Sequence, residues 1–239
     1  MKNLSYLFIA SIFVMFSMSC KKKGCMEVDA SNYNSEAKKE DGSCVYTPNI
    51  TIIAAADTTI SVATEWTDPG ATAANLDGAV VDVTSISTVD ASEVGVYTVT
   101  YTATNNNGTT TAVRNVNVVI NQDSWMGSWS VSDNCGGGTG LALNGSPEVI
   151  AGGNEEQILI TEFFSGVTGT YGTAICQIDG ENVTIAPASD GAPGGLGDIN
   201  YQGFGSMNSN GLSFTITFTY ENTTIVTGSS GTCQATYSK

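Results

Sequence analysis

A two-residue alternation between apolar side chains and threonine, over residues 95–104, constrains the fold of this chain most strongly. The apolar positions of that run are Tyr97, Val99, Tyr101 and Ala103, with threonine between them. Successive side chains of a β-strand point to opposite faces, so the run predicts a strand with one buried and one solvated face. The turn-forming Asn105-Asn106-Asn107-Gly108 comes next, and a second alternation follows through Val116, Val118 and Ile120. The two runs therefore predict a β-hairpin.

Past Asn121 the composition changes, because 21 of the 27 glycines lie beyond that residue. Short alternating runs continue there, separated by turn dipeptides such as Asp179-Gly180 and Asn210-Gly211, and no segment favours a long helix. The runs cover residues 157–162, 170–178, 182–186, 212–220 and 232–237. This spacing is typical of an antiparallel meander. The sequence thus predicts an all-β chain with a domain boundary near Gln122.

The N-terminus has the features of an export signal. An apolar stretch from Tyr6 to Phe16 follows Lys2 and is too short to span a bilayer. The stretch ends at Ser19-Cys20, which resembles the lipobox of bacterial lipoproteins. The resemblance implies that residues 1–19 are a signal peptide and that Cys20 is acylated as the first residue of the mature chain. Its acyl chains would hold the protein in a membrane, since each buried CH₂ contributes about 0.8 kcal/mol.

Charge is distributed unevenly along the chain. Six of the eight basic residues precede Thr47, whereas the part beyond Pro48 holds 18 acidic residues against Arg114 and Lys239. Such a surface repels nucleic acid and anionic lipid. The chain also has no histidine, the usual general base and a common zinc ligand. These features favour a non-enzymatic protein that does not bind nucleic acid.

Five cysteines follow Cys20, in a chain whose export would allow disulfides to persist. Cys25 and Cys44 enclose a polar segment that is too short to bury a core, so we expect a disulfide between them. Closing a loop of about 20 residues would stabilise the segment by about 3 kcal/mol. No two cysteines have the C-x-x-C spacing of redox and zinc sites, and three lie in the last part of the chain: Cys135, Cys176 and Cys233.

Residues 20–47 are thus expected to form an anchor and a disulfide-stapled module. Gly24-Cys25, residues 30–34 and residues 41–44 resemble a short cysteine-bounded repeat of bacterial surface proteins, with departures at Met26-Glu27 and Glu40. The resemblance implies a cation site, because carboxylate and amide oxygens in a tight loop suit calcium. The candidate ligands are Asp29, Asn32, Asn34 and Asp41. Alternatively, these side chains satisfy only the backbone of the turns.

Three motifs between residues 48 and 121 point to one domain type. They are Trp66-Thr-Asp-Pro-Gly-Ala-Thr-Ala, Leu76-Asp-Gly and the alternating run that begins at Gly95. Together they resemble the bacterial Ig-like domains of the HYR and crystal-toxin type. The resemblance implies a β-sandwich of about seven strands in which Tyr97 is the tyrosine-corner residue. Such domains act mostly as spacers or adhesive modules.

Residues 122–239 resemble a small lipocalin-like domain of bacterial lipoproteins at both ends, through Trp125-Met-Gly-Ser-Trp129 and the segment from Gly231 to Tyr237. If the meander closes into a barrel, its first and last strands become neighbours. We then expect a disulfide between Cys135 and Cys233, with Cys176 left as a buried thiol. The segment is shorter than a full lipocalin, so a filled barrel or sandwich is the alternative to a ligand-holding cup.

Among the tryptophans of this last domain, Trp129 is expected in the core, and Trp125 is the freer candidate for stacking on a sugar.

The whole pattern predicts a non-enzymatic, lipid-anchored lipoprotein of the outer membrane, with an Ig-like spacer and a distal β-domain. Its partners would be the membrane and a glycan, a small apolar ligand or an envelope protein, and calcium is the one cofactor considered. The alternative is a glycan-binding or adhesive surface component.

Overall fold

The structure, a computed structural model, describes residues 21–135, 146–166, 169–191, 197–223 and 229–239. In these residues the fold is all-β, with sixteen strands and one four-residue helix, and no helix is long and apolar enough to cross a membrane. The first seven strands are β1 (Asn49–Ile52), β2 (Asp57–Ser61), β3 (Ala71–Ala74), β4 (Val80–Val81), β5 (Val83–Ser87), β6 (Gly95–Asn105) and β7 (Gly108–Val119). After helix α1 (Gln122–Trp125) come β8 (Gly127–Ser128), β9 (Ser130–Asp133), β10 (Glu148–Ala151), β11 (Gln157–Gly166), β12 (Gly169–Asp179), β13 (Asn182–Gly191), β14 (Asp198–Met207), β15 (Ser213–Asn222) and β16 (Ser229–Ser238).

Strands β1 to β7 form a two-sheet sandwich. One sheet has the order β1-β3-β4, and the other has the order β2-β7-β6-β5, with β2 parallel to β7. The predicted hairpin is confirmed, because β6 and β7 pair antiparallel from Gly95 opposite Val118 to Asn105 opposite Gly108. The inward residues Val99, Tyr101 and Ala103 are buried, as the alternation predicts. The strand number matches the expectation of about seven.

Tyr97 forms the expected tyrosine corner. Its hydroxyl donates a hydrogen bond to the backbone oxygen of Glu93 at 3.0 Å, four residues earlier in the chain. The ring lies over Gly95, where an added Cβ would come within 3.1 Å of the ring atoms. A side chain at Gly95 would therefore push the tyrosine away from its acceptor.

The last nine strands form a nearly closed antiparallel barrel. Their order is β8-β10-β11-β12-β13-β14-β15-β16-β9. Strands β8 and β9 follow each other in the chain with only Trp129 between them, so one segment, residues 127–133, borders both edges of the sheet. Its first half pairs with β10 and its second half with β16, and Trp129 N–H donates to Pro147 O at 3.0 Å. This closure matches the expected up-and-down barrel, with no edge left unpaired over that segment.

Aromatic side chains fill the barrel interior in the described residues. Phe214 stacks on Tyr237 with ring centroids 4.2 Å apart, and Trp129 and Trp125 meet the same phenylalanine edge-on at 4.7 and 5.1 Å. Both tryptophans are essentially fully buried. The expectation that Trp125 is free to stack on a sugar is therefore wrong. Trp125 lies in helix α1 with its indole directed inward, where Nε1 donates a hydrogen bond to Gly180 O at 3.2 Å.

The sandwich and the barrel share one buried core. Val62, Val118 and Ile120 of the sandwich end belong to the same apolar cluster as the barrel residues. The turn between β14 and β15 meets the sandwich, since Ser209 Oγ donates to Glu93 Oε2 at 2.8 Å. Gly211 lies against Val62, and an added Cβ there would come within 2.6 Å of a valine methyl group. These contacts join the two domains without a flexible linker.

The structure contains both expected disulfides and leaves Cys176 free and buried. Cys135 follows β9, and its partner Cys233 lies in β16. Because Asp133 pairs with Ala235, the two cysteines lie opposite each other two residues further along, with Cα atoms 4.9 Å apart. This separation is within the range that a disulfide permits.

Candidate functional site

The predicted membrane anchor lies at the start of the chain. The signal peptide (1–19) and the acylation site Cys20 are outside the described residues, which begin at Lys21. The stapled module follows directly. Cys25 bonds to Cys44 with Cα atoms 4.8 Å apart, and the disulfide covers a minimal core of Cys25, Ala30 and Ala37.

The candidate cation ligands of the module are occupied by turn backbone. Asn32 Oδ1 accepts the N–H of Val45 at 2.9 Å, and its Nδ2 donates to Ser43 O. Asn34 Oδ1 accepts the N–H of Glu36. These bonds have the geometry of the turn-only alternative, although each amide oxygen keeps a second lone pair.

The two acidic candidates behave differently from each other. Asp41 Oδ1 accepts the backbone N–H of Ser43 at 3.0 Å, and hydrogen bonds from the Ser43 side chain and backbone lower the pKa of the Asp41 carboxyl. Asp29 is exposed. Among the described residues, one group of three acidic or cysteine side chains has its ligand atoms within 4.8 Å of one another. It consists of Cys25, Glu40 and Cys44, and its two sulfur atoms are bonded to each other.

A buried arginine organises the sandwich interior. Arg114 on β7 is fully buried, donates Nε–H to Tyr101 Oη at 2.9 Å and forms an ion pair with Asp68 at 3.3 Å. Its remaining N–H groups donate to the backbone oxygens of Ala55, Ile53 and Gly70. Tyr101 in turn donates to Asp68 Oδ1 at 2.6 Å.

This arginine network was missed at the sequence level. Residue 114 has the same parity as Val116 and Val118, so the alternation that predicts those valines to be buried was the signal that could have found the arginine. The network holds the loops at 53–56 and 68–70 against β6 and β7. Its role is structural.

Titratable groups inside the barrel are held in their neutral forms. Burial raises the pKa of the Cys176 thiol to about 12, so it stays protonated at neutral pH and is a poor nucleophile. Burial, together with the charge and hydrogen bond of Asp190, raises the pKa of Tyr201, whose hydroxyl donates to that carboxylate at 3.0 Å.

A groove with a volume of about 730 Å³ lies where the sandwich meets the barrel. Its acidic lining residues are Asp123, Glu155, Glu156 and Asp179. No basic side chain lines it among the described residues. Four carboxylates in one groove disfavour anionic ligands.

A second groove, of about 510 Å³, lies on the outer wall of the barrel across β13, β14 and β15. The strand register places polar side chains there in two rows. Ser189, Asn200 and Glu221 form one row, and Gln202 pairs with Thr219 in the next. All five residues are exposed, and none makes a side-chain hydrogen bond to another described residue.

A bulge in β13 shapes this groove. The register of β13 against β14 shifts between Ile185 and Ala188, where Pro187 has no N–H to donate to the neighbouring strand. Phe204 continues the outward face of β14 two residues beyond Gln202, with 66% of its surface exposed. The wall therefore combines unpaired amides, hydroxyls and one exposed aromatic ring.

Comparison with known proteins adds information for one of the domains. No curated protein matches the chain. The chain is similar to the crystal structure of a lipoprotein from Bacteroides thetaiotaomicron with 14% sequence identity and a TM-score of 0.28, over 80% of this chain and all of that one. Residues 50–118 match the model of the Ig-like domain of bacterial surface proteins, and this segment coincides with strands β1 to β7 of the sandwich.

Proposed function

We propose that this protein is a non-enzymatic cell-envelope lipoprotein, anchored in the outer membrane through acylated Cys20, that presents a lipocalin-like barrel for ligand or partner binding. The Ig-like domain would serve as the spacer. Support for an envelope location comes from the match of residues 50–118 to the Ig-like domain of bacterial surface proteins.

The order of contacts along the β6–β7 hairpin carries the proposal. At the turn of the hairpin, Asn105 and Asn107 donate side-chain hydrogen bonds to Tyr46 O, which follows the stapled module. At its opposite end, Val118 joins the barrel core. Strands of eleven and twelve residues span about 36–40 Å at 3.3 Å per residue. The sandwich thus separates the module, which follows the anchor, from the barrel.

The lipocalin-like interpretation is supported by how the barrel begins and closes. A short helix precedes the first strand segment, which pairs with strands on both sides. The ammonium of Lys239, after the last strand, lies 4.5 Å from the ring centroid of Trp129 and donates a hydrogen bond to Ser124 O in the helix. Because aromatic rings fill the described interior, we place the ligand on the outer wall.

Replacing the acylated residue tests the anchoring. Cells that express the full-length protein with Cys20→Ser should incorporate no labelled palmitate into it, and the protein should leave the detergent phase. Ser19→Ala, which keeps a small residue before the cysteine, is the matched control and should stay acylated. If the Cys20→Ser protein still carries palmitate, the anchor lies elsewhere and the proposed orientation fails.

A further inference from the structure

We infer that the outer wall of the barrel around β14 is a binding face for neutral glycans, centred on Asn200, Gln202 and Phe204. This inference rests on the proposed function, because it names the ligand class of the distal domain. The face lies on the outer surface of the barrel, and none of the described tryptophans is exposed on it.

The face has a high capacity for hydrogen bonding. Asn200 and Gln202 each offer two N–H donors and a carbonyl acceptor, and Ser189 and Thr219 offer hydroxyls that donate and accept. None of these side chains bonds to another described residue. A ligand rich in hydroxyl groups, which also donate and accept, is complementary to such a lining.

The same face also presents an aromatic ring. Phe204 lies on the same face as Gln202 and Asn200 because residues two apart in a strand share a face, about 7 Å from one to the next. An aromatic ring has a negatively charged face. The C–H groups on one side of a sugar ring carry partial positive charge, so a sugar can stack on Phe204 while its hydroxyls reach the amides.

Backbone geometry explains why the ring is presented outward. Phe204 stands between Gly203 and Gly205, whose inward positions are too crowded for a side chain. An added Cβ at Gly205 would lie 1.9 Å from the backbone oxygen of Thr215, and one at Gly203 would lie 2.9 Å from Phe218 Cβ. The strand is therefore pressed against β15, and the large side chain of this stretch can lie only on the outer face.

Charge and polarity select among possible ligands. Among the described residues that line the groove, Glu221 alone is charged. The chain beyond Pro48 holds 18 acidic residues against two basic ones, which disfavours nucleic acids and acidic polysaccharides. A protein partner would need a contiguous apolar centre on this face. Phe204 instead lies between Thr184 and Thr217 on the neighbouring strands, among other polar side chains. Neutral glycans fit both conditions.

Affinity electrophoresis tests the face with the full mature chain, carrying Cys20→Ser to keep it soluble. The gels contain laminarin, xylan, mannan or dextran. We expect the protein to be retarded by at least one of them, and the double variant Asn200→Ala/Gln202→Ala to be released. Phe204→Ala should weaken the apparent affinity about tenfold, a loss of about 1.4 kcal/mol.

The matched control is Ile175→Ala, which removes another exposed apolar side chain, 57% exposed, from β12 of the same barrel. It should leave the affinity unchanged. No retardation on any of the four polysaccharides, or equal retardation of the wild type and the Phe204→Ala protein, would overturn the inference. Cross-linking of an envelope protein to this wall without retardation by any glycan would also overturn it. Palmitate labelling at Cys20 is measured separately, so a failure here leaves the anchoring proposal standing.

Discussion

Replacing Arg114 should be among the most damaging single changes to the sandwich. Arg114→Met keeps an apolar stem of similar length but removes the guanidinium that pairs with Asp68 and donates to three backbone oxygens and to Tyr101. The change leaves buried acceptors unpaired, and each of them costs about 1–3 kcal/mol. Asp68 keeps some contact with water, because 23% of its side chain is exposed. We therefore expect a total loss of about 3–5 kcal/mol, the range for breaking a buried ion pair.

The loss can be measured by urea unfolding followed by circular dichroism, with calorimetry to separate the transitions. A sandwich of this size should melt lower by about 4–8 °C for each kcal/mol lost. A double-mutant cycle with Asp68→Asn should give a coupling energy of about 0.5–3 kcal/mol. Val113→Ala, at the neighbouring half-exposed position, is the control and should change stability by less than about 0.5 kcal/mol. A loss below about 1 kcal/mol for Arg114→Met, or additive effects in the cycle, would refute the reasoning.

Replacing Cys135 and Cys233 together by serine should lower the stability of the barrel by up to about 4.7 kcal/mol, because their disulfide closes a long loop. A melting temperature equal to that of the wild type would contradict this prediction. Tyr97→Phe should cost about 0.5–1.5 kcal/mol through loss of its hydrogen bond to the carbonyl four residues earlier, measured by denaturant unfolding. The free energy of unfolding should hold up to about pH 9 and fall as the pH rises beyond about 10. Burial raises the pKa of Tyr237, so the folded state keeps a proton that the unfolded chain releases at that pH. Melting curves recorded from pH 7 to 11 test whether stability falls in this direction. Calcium at millimolar concentration should shift the amide resonances around Asp41, and unchanged spectra would leave only the turn role.

Period-two alternation was enough to predict the sandwich hairpin and most barrel strands. It succeeded where each strand carries a full apolar face, as in β6 and β15, because the burial pattern then repeats every second residue. The disulfide between Cys135 and Cys233 followed from topology, since a closed meander brings its first and last strands together. The buried Arg114 could not be predicted in this way alone, because a charged residue at an inward position contradicts the expectation of an apolar core. Only its partners, which lie 46 and 13 residues earlier, make that position tolerable.

Trp125 shows a different limit of sequence reasoning. It belongs to a helix of one turn, and whether such a residue points inward depends on the neighbouring strands rather than on local pattern. Its indole is held by the turn at Gly180 and by Phe214, both of which are far away in the sequence. Short elements without a periodic face leave their orientation undetermined until the packing is known.

Strand β14, like the short β10, was not predicted from the sequence pattern, and it contains the proposed binding face. Its inward positions alternate as Ile199, Tyr201, Gly203, Gly205 and Met207. The two glycines interrupt the apolar alternation and, by propensity, argue against a strand. Their benefit is the close approach of β15, which fixes the outward direction of Phe204. The exposed ring of Phe204, and the amides of Asn200 and Gln202 that form no side-chain hydrogen bond to another described residue, contribute nothing to the stability of the strand. Departures of this kind are expected where function sets the residues, and this is the physical reason to test β14 first.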